Sequence, residues 1–145
     1  MISQVEGKED MERVIELIRE WHEQEKIEER KRKTAEVYRD VFGIEPLKVE
    51  VVGGKVVARG YFDYHEIKEK LGEEVFSKLL DIANAHVDAT TLKSLILKVG
   101  ESEEEESDWK SYWTRSYDDY LVVRKKYIKG YEVKMIIETP VTYDC

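Results

Sequence analysis

Apolar residues recur at helical spacing early in the chain, where Met11, Val14, Ile15, Leu17, Ile18 and Trp21 share one side of a 3.6-residue period. From Glu23 to Thr34 almost every residue is charged, and Ile27 is the only apolar one. Ala35, Val37, Tyr38, Val41 and Phe42 then restore a stripe. The pattern predicts a long helix from about Glu9 to Phe42, closed by Gly43 with Pro46 shortly after. At ~100° per residue the two stripes lie about a quarter turn apart, so a straight helix does not bury both on one flat surface. Three outcomes stay open: the helix bends around the core, it breaks in the charged middle, or the middle bridges to another subunit. The heptad is not sustained, which argues against a long coiled coil.

Period-two patterning takes over around Gly53-Gly54. A two-residue loop there pairs Val51 with Val56, Val49 with Ala58 and Leu47 with Gly60 on one face. Lys48, Glu50, Lys55, Arg59 and Tyr61 fall on the other, and a one-residue slip destroys the separation. Asp63 then caps a short helix with Glu66 as the return arm of a capping box; Ile67 and Leu71 form its stripe and Gly72 ends it. Glu73 and Glu74 open the next helix, which turns Phe76, Leu79, Leu80, Ala83 and Val87 inward. Residues 91–99 fit either period and are read as a strand, so that the acidic run Glu101 to Asp108 becomes a hairpin loop leading into Trp109. Tyr117-Asp118-Asp119 reads as a turn. A last hairpin surrounds Gly130, with a three-residue loop Ile128-Lys129-Gly130 and Gly130 in the left-handed bulge position. That register sets Leu121, Val123 and Tyr127 against Ile137, Met135 and Tyr131, and leaves Arg124 and Lys126 on the wet face.

The predicted architecture is a single α+β domain over 1–145. It is an antiparallel sheet of about four to six strands with two β-hairpins, packed against the long N-terminal helix and a helical pair. A chain of 145 residues is long enough for one hydrophobic core. Charged residues reach 39% with both signs mixed, and Asn and Gln are scarce, a composition that points to a thermophile. No apolar run approaches the ~18 residues of a membrane span, and the start lacks the order of a signal peptide, so a cytoplasmic, membrane-free address is expected. The one cysteine, Cys145, can form no internal disulfide and does not match a prenylation signal.

Candidate chemistry is sparse. The three histidines, His22, His65 and His86, show no metal-ligand spacing, and the chain has no nucleophile elbow or phosphate loop, so neither metal nor cofactor is expected. Asp63 and His65, with His86, give an acid–base pair for a small enzyme, set against their simpler use as cap and first-turn surface residues. The acidic run lacks the ligand alternation and central Gly of a calcium loop. Arg30-Lys31-Arg32-Lys33 follows Glu28-Glu29 and reads as a solvated face with i, i+4 pairs.

One composition shift stands out. Residues 109–145 hold seven basic and five acidic side chains, two of the three Trp and six of the nine Tyr, in a chain whose net charge is −8. Trp109, Trp113, Arg115, Tyr117, Arg124 and Lys126 are the candidate binding residues, as an aromatic and basic surface suited to protein or to single-stranded nucleic acid. The competing structural account is that Trp and Tyr fill the core while Lys and Arg line the wet face. The reading is a non-enzymatic binding or protein-interaction domain, with self-association through the long helix or the C-terminal strands. A nucleic-acid-binding module and an Asp63/His65 enzyme are the alternatives.

Overall fold

The computed structural model describes residues 3–83, 92–115 and 119–140. The elements run α1 (Ser3–Phe42), β1 (Lys48–Val52), β2 (Lys55–Asp63), α2 (Tyr64–Ile82), β3 (Ser94–Glu101), β4 (Lys110–Arg115), β5 (Asp119–Ile128) and β6 (Tyr131–Pro140). The strands form one open, antiparallel, 6-stranded sheet in the order β1-β2-β3-β6-β5-β4, which makes the fold α+β.

Only one face of the sheet is dry. Val56, Ala58 and Phe62 of β2, Leu95, Leu97 and Val99 of β3, Val122 of β5, and Val133, Met135 and Ile137 of β6 are buried there. Tyr38 and Phe42 of α1 and Ile67, Leu71 and Leu79 of α2 close over them. Alternation along each strand therefore turns the intervening residues to the uncovered face.

The helix α1 is continuous over 40 residues, about 60 Å of rise. Its C-terminal part docks through Thr34, Tyr38 and Phe42, one turn apart and all buried. Arg30 secures the same end. Its Nε and Nη2 bind Glu101 Oε2 and Oε1 at 3.0 and 2.6 Å, and Nη2 also donates to Gly54 O at 2.8 Å. Glu101 in turn accepts the Val56 N–H at 2.6 Å, so one ion pair ties α1, the first hairpin and β3 together. Gly43, at φ 74, ends the helix with its N–H on Arg39 O at 2.7 Å. The first stripe touches none of this core: Met11, Val14, Ile15, Leu17, Ile18 and Trp21 are between 46% and 68% exposed.

Several local expectations hold. The first hairpin takes the predicted register, with Val51 opposite Val56 and Val49 opposite Ala58. The capping box is complete: Asp63 Oδ1 accepts Glu66 N–H at 2.9 Å and Glu66 Oε2 accepts Asp63 N–H at 3.3 Å. Gly72, at φ 74, interrupts α2 where the sequence predicts a helix end. Residues 94–101 are a strand. Val87, His86, Cys145 and most of the Tyr117-Asp118-Asp119 turn lie outside the described residues.

Two expectations need correction. The acidic run after β3 is not a hairpin loop, because both edges of β3 are already taken by β2 and β6. It carries the chain past the β5–β6 hairpin, where Ser102 N–H bonds Gly130 O at 2.8 Å, to the far edge at β4. The last hairpin has a two-residue turn, Lys129-Gly130, rather than three residues. Both turn residues are left-handed, at φ 50 and 84, matching the strand twist. The register shifts accordingly: Arg124 faces Met135 and Lys126 faces Val133 on the helix-covered side, while Lys125 turns to the open one.

Candidate nucleic-acid interface

Strand pairing brings one open-face residue from each strand into line. Lys48 lies opposite Arg59, Arg59 opposite Lys98, Lys98 opposite Lys134, Lys134 opposite Lys125, and Lys125 opposite Lys110. The result is a row of cations crossing every strand, about 24 Å long at 4.7–4.9 Å per strand gap. Along one side of the row, also in register, run Tyr61, Ile96, Ile136, Val123 and Tyr112. Tyr61 and Tyr112 are about half exposed and stand some 19 Å apart at the two ends of this apolar strip.

Like charges directly opposite one another destabilise a sheet. Two carboxylates on the other flank relieve part of the repulsion. Glu50 reaches Lys48 and Arg59 at 3.1 Å each, and Glu132 reaches Lys134 at 3.6 Å and Lys125 at 4.0 Å. Its hydrogen bond with Lys48, helped by the charges of Arg59 and Lys98, holds the Glu50 carboxyl below the usual carboxylate range. The Tyr127 side chain, with Glu132 adding to it, holds the Lys125 ammonium above its ordinary value. Among the described residues no carboxylate pairs with Lys98 or Lys110.

The face is hollowed at both ends of the row. A depression of about 470 Å³ has Tyr61, Ile96 and Ile136 with Lys48, Arg59 and Lys98 around it. A second, of about 490 Å³, is lined by Glu103 to Glu106 and by Lys110 and Lys125, with Tyr112 and Tyr127 alongside. Cations, aromatic faces and an apolar strip in one plane can hold a chain of phosphates and stack the bases attached to it.

The residues singled out from composition sit elsewhere. Trp109, Arg124 and Lys126 do come together, with Lys126 Nζ 4.9 Å and Arg124 Cζ 5.7 Å from the Trp109 ring centroid. They gather on the helix-covered side, not the open one. Arg124 is only 6% exposed and donates through Nη1 to Ile82 O at the end of α2, where a cation suits the helix dipole. Burial pushes its pKa down. Trp113 and Arg115 occupy β4 positions opposite Val122 and Tyr120, and Tyr117 lies outside the described residues. Composition missed Lys48, Arg59, Lys98, Lys110, Lys125 and Lys134 because only the sheet order aligns them. The available signal was one Lys or Arg at a wet position of each strand.

Among the described residues the other leads do not assemble, and His86 lies outside them. Asp63 is occupied as a cap, and His65 is exposed beside the Tyr64 ring, 5.7 Å between centroids. His22 is exposed on α1 against Trp21. Among the described residues no group of acidic, His or Cys side chains could hold a metal ion, and no helix is long and apolar enough to cross a membrane. Set beside known protein families, curated proteins and solved structures, the chain matches none.

Proposed function

We propose that this protein binds single-stranded nucleic acid across the open face of its sheet and performs no reaction on it. The observation that carries this reading is the row of cations in direct register, an arrangement that costs stability and that an anionic ligand repays. Phosphates lie along the row, and bases stack on Tyr61, Tyr112 and the strip between them. The nucleic-acid strand thus runs across the β-strands. A row of about 24 Å accommodates roughly four nucleotides. A duplex hides the base faces that the apolar strip needs, so single strands are preferred. Because the whole chain carries −8, attraction is local rather than long-ranged. The cytoplasmic address expected from the sequence suits this role.

Fluorescence anisotropy with a labelled oligothymidylate tests it. Six cations less the two bridging carboxylates leave at most about four phosphates neutralised, fewer at the end where Glu103 to Glu106 lie beside Lys110 and Lys125, so log affinity falls with log salt at a slope no steeper than about −3. Raising salt from ~50 to ~200 mM then weakens binding severalfold and by no more than roughly 50-fold. Absence of binding at the lower salt, or binding that ignores salt, overturns the proposal.

A further inference from the structure

The exposed half of α1 carries a second surface, and its pattern names its partner. Six large apolar side chains, Met11, Val14, Ile15, Leu17, Ile18 and Trp21, make no contact with the core and fall within an arc of about 160°. The opposite side of the same turns is charged: Glu12, Arg13, Glu16, Arg19, Glu20 and Glu23. An apolar stripe of this size on a projecting helix marks an interaction site.

The segment Glu9 to Glu23 reads with the same chemistry from either end. About Glu16, Met11 mirrors Trp21, Val14 mirrors Ile18 and Ile15 mirrors Leu17. The polar positions follow: Glu12 mirrors Glu20, Arg13 mirrors Arg19, Glu9 mirrors Glu23, and Asp10 mirrors the complementary His22. A two-fold contact requires residue i to meet j while j meets i. When the two helices run antiparallel, a mirrored pattern lets every apolar residue meet another apolar residue. A foreign helix imposes no such symmetry.

We infer that the N-terminal halves of α1 from two copies of this chain pair antiparallel, with the dyad at Glu16. The area suffices. Just over half of a ~200 Å² Trp side chain and of five aliphatic ones of ~140 Å² gives roughly 500 Å² per copy, or about 1,000 Å² in all, the size at which a contact becomes a specific interface. The geometry is also permissive. The docked part of α1 begins at Arg30, about 21 Å along the helix from Glu16, so the two bodies stand at opposite ends of the pair. This inference stands independently of the nucleic-acid reading, although a dimer gives one long strand two faces to engage.

Light scattering on the full chain is expected to give about twice the 17.1 kDa protomer mass at micromolar concentration. Ile15→Glu with Ile18→Glu should return the protomer mass while the β-sheet signal is kept, because the stripe does not touch the body; the unfolding midpoint should lose its dependence on protein concentration. Orientation is read by oxidative cross-linking in a Cys145→Ser background. Met11→Cys chains mixed with Trp21→Cys chains should cross-link, and neither should do so alone. A monomeric native chain, a double variant that remains dimeric, or Met11→Cys chains that cross-link with themselves would each overturn the inference.

Discussion

Reversing one charge, Lys98→Glu, separates a functional row from an ordinary wet face. Lys98 sits at the centre of the row, directly opposite Arg59 on one side and Lys134 on the other. Each like-charged neighbour costs ~0.2–1 kcal/mol and reversal converts both contacts into attractions, offset in part by repulsion of the Glu50 carboxylate that Lys98 favours, so the variant should gain about 0.5–1 kcal/mol of folding stability. Binding moves the other way. One cation is lost and one anion gained, which removes about two charges from the contact. At a slope of −0.7 per charge and ~0.1 M salt, each charge is worth about fivefold, so affinity should drop roughly 25-fold. Urea unfolding and anisotropy on the same preparation measure the two effects. Arg124→Met is the control: losing its charged bond to the Ile82 carbonyl should cost about 2 kcal/mol while affinity is retained, since Arg124 faces the helices. Unchanged affinity in Lys98→Glu, or a fall in stability together with binding, would refute the reasoning.

The core and the α1 clamp make two further tests. A methyl group added at Gly60 lands 2.5 Å from Tyr38 Oη and 2.9 Å from Phe62 Cε2, so Gly60→Ala should lose about 1–2 kcal/mol after the smaller entropic gain is subtracted. Tyr38→Phe removes a buried hydroxyl that has no partner among the described residues; alone it should be near neutral, and it should rescue part of the Gly60→Ala loss in urea melts, whereas strict additivity would contradict the clash. Glu101 has its carboxyl held below the ordinary range, chiefly by the hydrogen bond from Arg30. Its contribution is therefore complete above the unfolded-state pKa and lost as pH falls through the lower folded value. Glu101→Gln should be less stable than the native chain at neutral pH, with the gap closing under acid; a pH-independent gap argues against the ion pair.

Local signals in the sequence are read correctly where one element contains all its determinants. The Gly53-Gly54 turn needs only two residues that accept positive φ, and its flanking alternation admits a single register. The Asp63–Glu66 box closes within one helical turn. At Gly130 the same reasoning fails, because Leu121, Val122 and Val123 are consecutive apolar residues and fit either face. The choice passed to the turn, where Lys129 accepts a left-handed conformation. That one-residue difference moved Arg124 under the helices and Lys125 into the open.

The sequence by itself determined the helices, the first hairpin, the α+β class and the mirrored stripe of α1, since each depends on periodicity within one stretch of chain. Only the tertiary structure decided the candidate site. Its six cations come from six strands, and β3 and β6, paired at the centre, are joined through the edge strand β4. Which lysine stands beside which depends on strand order and on registers summed across five pairings. No window of sequence contains that information, because it is set by which hydrophobic faces the helices cover.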